Sequence, residues 1–270
     1  MLKQRTIKKQ VSFNGFGIHT AKFAEVTLSP LPENSGIRFR DQSTAVQYLP
    51  ENVRADARGT QVAIKEDHLI MTVEHLVSAI AGLGIDNILI DVEGPEVPIK
   101  DGSTLFFIEK IKEAEIVEQD APKKMKTISK PVSLIAEDKF IIALPAAELS
   151  ISYLLDYPLE EHGCDFARYT YNPENYEQFL GSARTFGLKS EVEALWASNK
   201  GLGATIENAL VISRDGFSNR LNYDNELARH KIVDFLGDIT ALGELPLAEF
   251  LIAKSGHQFN QAFVKELAKC

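Results

Sequence analysis

The feature that most constrains this chain is an internal repeat. The segment Thr6-Ile7-Lys8-Lys9-Gln10-Val11-Ser12 returns as Thr127-Ile128-Ser129-Lys130-Pro131-Val132-Ser133, with identity at five of seven positions. Each copy is β-prone and opens a stretch of strand-like alternation, Ala24-Glu25-Val26-Thr27-Leu28 in the first half and Phe140-Ile141-Ile142-Ala143-Leu144 in the second. Each half then carries an amphipathic helix closed by Leu-Gly and followed by a strand. In the first half the helix runs from Thr72 to Leu83, with Gly84 behind it and a strand over Asn87 to Val92. In the second it runs from Glu226 to Leu242, with Gly243 and a strand over Ala248 to Ala253. Glycine after the last turn is the expected C-terminal cap. Two features recurring in one order predict a duplicated α+β unit, and the repeat period is far too long for a solenoid. The division falls near Glu118-Gln119-Asp120-Ala121-Pro122, a polar stretch closed by proline, which gives domains over residues 1–120 and 124–270.

A chain of 270 residues can bury two modest cores. Its 44% apolar and 25% charged residues are those of an ordinary globular protein. No apolar run reaches the 18 residues or so that a membrane span needs. Met1-Leu2-Lys3-Gln4-Arg5 lacks the apolar core of a secretory signal, and Cys164 and Cys270 are too few for a disulfide framework. A cytoplasmic protein is expected, acting as a monomer. The net charge of −9 argues against nucleic-acid partners, which need a basic face to displace counterions. A small anionic ligand is compatible with it if lysines are set locally against the overall field.

The pattern richest in chemistry is Arg229-His230-Lys231-Ile232-Val233-Asp234-Phe235-Leu236-Gly237-Asp238. Positions four apart share one helix face, so His230, Asp234 and Asp238 form a polar stripe beside a buried one of Ile232, Phe235, Leu236 and Ile239. An imidazole and a carboxylate one turn apart can both reach a zinc ion. Taken alone, the pattern reads first as a solvated face with a His–Asp pair. The rest of the histidine set changes that reading, because catalytic zinc takes three protein ligands and leaves one position open. His75 can supply the third ligand and its neighbour Glu74 a base. Thr72 as N-cap would put both in the first turn of a helix, where a carboxylate is favoured. His257, behind Gly256 at the end of an apolar strand, is poorly placed for core packing and suits a site. His68 and His162 lie in polar surroundings and read as surface residues.

In order along the chain stand Gly15-Phe16-Gly17-Ile18-His19-Thr20, Thr72-Val73-Glu74-His75-Leu76 and Leu83-Gly84-Ile85-Asp86-Asn87. Pro95-Glu96-Val97-Pro98-Ile99-Lys100-Asp101-Gly102-Ser103, Ala183-Arg184-Thr185-Phe186, Arg229-His230-Lys231 with Asp234 and Gly237-Asp238, and Ser255-Gly256-His257 follow. From Gln4 to the last helix the chain resembles the UDP-3-O-acyl-N-acetylglucosamine deacetylases of lipid A synthesis. The resemblance implies two repeats of a small mixed or antiparallel sheet with packed helices and an active site between them. It implies Zn2+ (Fe2+ being able to fill the same site) on His75, His230 and Asp234, with Glu74 as general base. His257 would stabilise the oxyanion and protonate the leaving amine, oriented by Asp238. Thr185 would place a hydroxyl on the oxyanion, Phe186 would line the sugar and acyl site, and Lys139, Lys231 and Lys254 would contact substrate. His19 matches a family histidine and receives no ligand role.

These roles suit amide hydrolysis, in which water is a poor nucleophile and the amine a poor leaving group. Zinc lowers the pKa of its bound water towards about 7 and polarises the carbonyl. A glutamate base and a histidine acid predict a bell-shaped pH profile. The chain departs from the family in two places. Gly201-Leu202-Gly203-Ala204-Thr205 is about two residues shorter than the family's glycine-rich stretch beside the acyl passage. Leu155 stands where some members place an aromatic residue against uracil. Two other readings compete: a hydrolase of the same fold acting on another acylated sugar amide, and a catalytically silent binder of acylated nucleotide sugars. Intact Glu74 and His257 speak against the binder.

Overall fold

The computed structural model describes residues 2–156 and 164–270, so His162 lies outside the described residues. The chain is α+β, and its repeat is one of topology as well as of sequence. A first sheet has the order Val11–Phe16, Phe23–Pro30, Ile88–Glu93, Ile37–Asp41, Thr44–Gln47. Its neighbours are antiparallel except Ile88–Glu93 beside Ile37–Asp41, which run parallel. A second sheet has the order Val132–Ala136, Lys139–Pro145, Pro246–Ala253, Ser150–Asp156, Cys164–Thr170, with Lys126–Thr127 added along Pro246–Ala253. Again the single parallel contact on the main path joins the middle strand to the one beside it, Ser150–Asp156. In both halves the strand that follows the central helix inserts in the middle of the sheet.

Five α-helices lie among the described residues: α1 (Glu74–Gly82), α2 (Leu105–Glu113), α3 (Val192–Ala197), α4 (Glu226–Ile239) and α5 (His257–Leu267). α1 and α4 precede the middle strands, and α2 and α5 follow them. Between the fourth strand of each sheet and the central helix, each half carries an inserted arm of three short strands. The arms are Val53–Ala55, Thr60–Lys65 and His68–Met71 in the first half, and Phe186–Leu188, Leu210–Ser213 and Gly216–Phe217 in the second. Strand alternation supplies the cores: Val11 and Phe13 point in while Ser12 and Asn14 point out. Val26, Phe39 and Leu76 of the first half join Ile151, Phe235 and Phe250 of the second in one apolar core. Gly84 and Gly243 both close their helical segments with positive φ, 77° and 79°, a backbone shape glycine adopts without strain. No helix among the described residues is long and apolar enough to cross a membrane.

α1 is buried along its whole length, and α4 buries all but two of its positions. The polar stripe of α4 is therefore no solvated face: His230, Asp234 and Asp238 are as buried as the apolar residues beside them. The two helices meet at backbone distance, and a Cβ added at Gly237 would fall 2.3 Å from the Glu74 carbonyl oxygen.

One expectation changes. Thr72 does not cap α1, whose N-cap position is Val73 with no side-chain cap. Thr72 has a positive φ of 56°, and its hydroxyl donates to the buried Glu96 carboxylate at 2.8 Å. A β-branched residue there is strained, and the buried acceptor holds it in place. The polar stretch Glu118–Pro122, near which the sequence sets the division, belongs to the strand Ile116–Pro122, paired antiparallel with Lys3–Ile7. A half-exposed two-stranded ribbon tolerates that polar sequence, with proline confined to its end.

Candidate metal centre

The first turn of α1 presents Glu74 and His75, successive turns of α4 present His230, Asp234 and Asp238, and α5 begins at His257. His230 Nε2 lies 3.2 Å and His75 Nε2 3.5 Å from Asp234 Oδ1. One ligand atom from each of the three lies within 4.8 Å of the others. His230 Nδ1 is 3.0 Å from the Ala183 carbonyl, so this nitrogen carries the proton and Nε2 turns its lone pair towards Asp234. Asp234 Oδ1 and His75 Nδ1 are buried and have no hydrogen-bond partner among the described residues, a state that native structures seldom leave unanswered. Two imidazoles and an unpaired carboxylate oxygen converging in a buried space fit a divalent ion. Burial lowers the pKa of His75, keeping it in the neutral form a metal requires. Burial would raise that of Asp234, but His230, Lys231 and His257 hold it well below the usual carboxylate range.

Beside this set, Glu74 Oε1 stands 3.8 Å from His257 Nε2, and Glu74 Oε2 accepts the Thr60 N–H at 3.0 Å. Burial pushes Glu74 up to about 7 against the opposing pull of His257. Burial pulls His257 down, yet Asp238, Asp234 and Glu74 together carry it up to about 9. Asp238 is fully buried and faces His257 Nδ1 at 3.1 Å. Its oxygens also accept Thr60 Oγ1 at 2.5 Å, Asn260 Nδ2 at 2.8 Å and Gln261 Nε2 at 3.2 Å. Tyr153 donates to the Ser255 carbonyl at 2.5 Å, fixing the turn before His257.

A cavity of about 360 Å³ opens over these groups, and Thr185, Phe186, Lys231, Lys254 and Leu155 line it. The Phe186 ring meets His230 edge-on at 6.0 Å, with the Lys231 ammonium 5.1 Å from the ring centre. Lys231 also donates to Asp234 Oδ2 at 2.8 Å. Lys254 pairs with Asp138 at 2.7 Å and Asp156 at 3.1 Å. Lys139 is not part of the lining; its ammonium lies 5.2 Å over the Phe259 ring. Cys164 and Cys270 are free and exposed.

The mouth of the cavity is built by both halves. Leu202 and Gly203 N–H groups donate to the His19 and Ile18 carbonyls at 3.2 and 3.0 Å. His19 Nδ1 accepts the Gly201 N–H at 3.3 Å, a structural contact. A Cβ at Gly203 would sit 2.3 Å from the Gly17 carbonyl oxygen. Arg58 pairs with Glu191 at 3.1 Å, and Lys200 pairs with Asp56, so ion pairs tie one inserted arm to the other. Glu96, fully buried, accepts the N–H groups of His19 and Thr20 and the hydroxyls of Thr20 and Thr72. One carboxylate thus holds both the hairpin at the mouth and Thr72, two residues before α1.

Thr60, Glu96, Asn260 and Gln261 are the site residues that sequence reasoning missed. The last two were open to inference, because three and four residues beyond His257 is the same face of a helix.

Comparison with known proteins adds an independent line. Residues 4–269 match the family described as UDP-3-O-acyl N-acetylglycosamine deacetylase. Among relatives named UDP-3-O-acyl-N-acetylglucosamine deacetylase, that of Oleidesulfovibrio alaskensis is 36% identical over 99% of this chain and 90% of its own length. That of Colwellia psychrerythraea is 36% identical over 100% and 91%. That of Coxiella burnetii is 38% identical over 99% and 90%.

Proposed function

The chain belongs to the UDP-3-O-acyl N-acetylglycosamine deacetylase family, and from that membership we propose that it hydrolyses the N-acetyl amide of UDP-3-O-acyl-N-acetylglucosamine, releasing acetate, in lipid A biosynthesis. The observation that carries this reading is the buried His75–His230–Asp234 set, with Glu74 on one side and the His257–Asp238 pair on the other. We further propose Zn2+ as the ion, the same two-imidazole, one-carboxylate set being able to take Fe2+ in the cell. Bound there, a divalent ion supplies Lewis acidity towards the amide carbonyl and the attacking water.

The chain's own groups do the rest. Glu74 takes the proton of the water as its oxygen bonds to the carbonyl carbon. The Thr185 hydroxyl and the charged imidazole of His257 face the oxygen on which negative charge develops. As the C–N bond breaks, His257 Nε2 delivers a proton to the leaving nitrogen, giving acetate and the free amine. Asp238 keeps Nδ1 protonated and the ring aimed. Lys231 and Lys254, which line the cavity, serve the diphosphate, and Phe186 lines the sugar and acyl site. Residues 1–120 supply Glu74 and His75, and residues 124–270 supply His230, Asp234 and His257, as two domains of a cytoplasmic monomer.

The test is acetate release from the UDP-linked, 3-O-acylated substrate, with and without chelator and added zinc. Activity abolished by chelation and restored by zinc is the expected result. Turnover of another acylated sugar amide in preference to this one would reassign the substrate, and tight binding without turnover would make the protein a binder.

A further inference from the structure

Thr60 is wholly buried at the start of the strand Thr60–Lys65 in the first inserted arm. Each of its polar groups is spent on the site. Its N–H donates to Glu74 Oε2 at 3.0 Å, its hydroxyl donates to Asp238 Oδ1 at 2.5 Å, and its carbonyl accepts the N–H of Val73, the residue before α1, at 3.2 Å. Glu74 is on α1 and Asp238 on α4, and Thr60 is a residue that touches both carboxylates. The same hydroxyl oxygen is 3.3 Å from His257 Nδ1. A hydroxyl has one proton. With that proton given to a carboxylate that can only accept, the oxygen shows His257 a lone pair. Nδ1 then faces two acceptors, Asp238 Oδ2 and Thr60 Oγ1. It must carry hydrogen, which leaves Nε2, the nitrogen facing Glu74, as the one that exchanges its proton.

We propose that Thr60 is a positioning residue that fixes the general base through its backbone and, through its hydroxyl, sets the tautomer and aim of His257 by way of Asp238. This rests on the roles given above to Glu74, His257 and Asp238.

The experiment uses the metal-loaded enzyme and three variants. Thr60→Val keeps the shape and removes the hydroxyl; kcat should fall roughly 10–100-fold, as for other partners that orient a site group, with KM and metal content little changed. Thr60→Ser should restore most of the loss. In an Asp238→Ala background, Thr60→Val should add no further loss, because the acceptor of that hydroxyl is already gone. If Thr60→Val fails to fold, Thr60→Ala carries the same comparison. Parental kcat in the hydroxyl-free variant, a serine variant as slow as the valine one, or fully additive losses would each overturn the inference. If Glu74→Ala and His257→Ala keep parental turnover, the proposed base and acid fail first; if those two lose it while Thr60→Val does not, only the role of Thr60 fails.

Discussion

Glu74 and His257 face each other across 3.8 Å, and burial of the one and the carboxylates around the other let them take opposite roles. The base acts only when ionised, so the rate falls as pH drops through the Glu74 pKa, raised to about 7. The acid acts only when protonated, so the rate falls as pH climbs through that of His257, raised to about 9. A cation on His75, His230 and Asp234 favours ionised Glu74 and disfavours the imidazolium, which moves both limbs to lower pH. The kcat/KM profile should be a bell, and His257→Gln should flatten its alkaline limb; an alkaline limb untouched by that change would assign the acid elsewhere. Glu74→Ala should keep the metal and lose about 10²–10⁴-fold in turnover, whereas His230→Ala should lose most of the metal. Elemental analysis separates the two, and full metal retention without His230 would sink the ligand set. The ligand candidates were legible in the sequence because one helix period ties His230 to Asp234. Thr60 was not, since it looks like any strand threonine and lies 178 residues from the carboxylate it holds.

The repeat was legible because its strands alternate and its central helices end in Leu-Gly. The inserted arms were not, because strands of two to six residues leave too short a period to read. The start of α1 was misjudged for a physical reason: Thr72 spends its hydroxyl on Glu96 rather than on the helix. Gly237 likewise looked like an ordinary residue of a helix, and its reason is tertiary. Alanine there gains about 1 kcal/mol of helix propensity. Its Cβ, however, meets the Glu74 carbonyl oxygen at 2.3 Å, and overpacking of that kind costs about 1–3 kcal/mol. The clash wins, so Gly237→Ala should melt earlier and bind metal more weakly, because the strain falls on the turn that carries Glu74 and His75. A variant melting later than the parent would show that the helices have room to separate.

At the scale of the molecule, both halves wall one cavity, and the Gly201–Thr205 stretch is stitched to the Gly17–His19 turn. Ala204 brings a side chain to one wall of the cavity. Burying a methylene is worth about 0.8 kcal/mol, roughly fourfold in affinity. A series of substrates differing only in 3-O-acyl length should therefore show a distinct optimum, with longer chains losing affinity more than turnover; a flat series would place the chain elsewhere. The contact between Gly237 and Glu74 also has a kinetic corollary. Halves joined at backbone distance have no slack to rock apart, so ligand traffic falls to the inserted arms and the pairs Arg58–Glu191 and Lys200–Asp56 that tie them. Partly exposed pairs of this kind add little to stability and are screened by salt. Raising ionic strength should leave the melting temperature nearly unchanged while product leaves faster in stopped-flow measurements, and an unaltered release rate would locate the exit away from the arms. The mouth is an ionic latch, loosened by salt long before heat opens the fold.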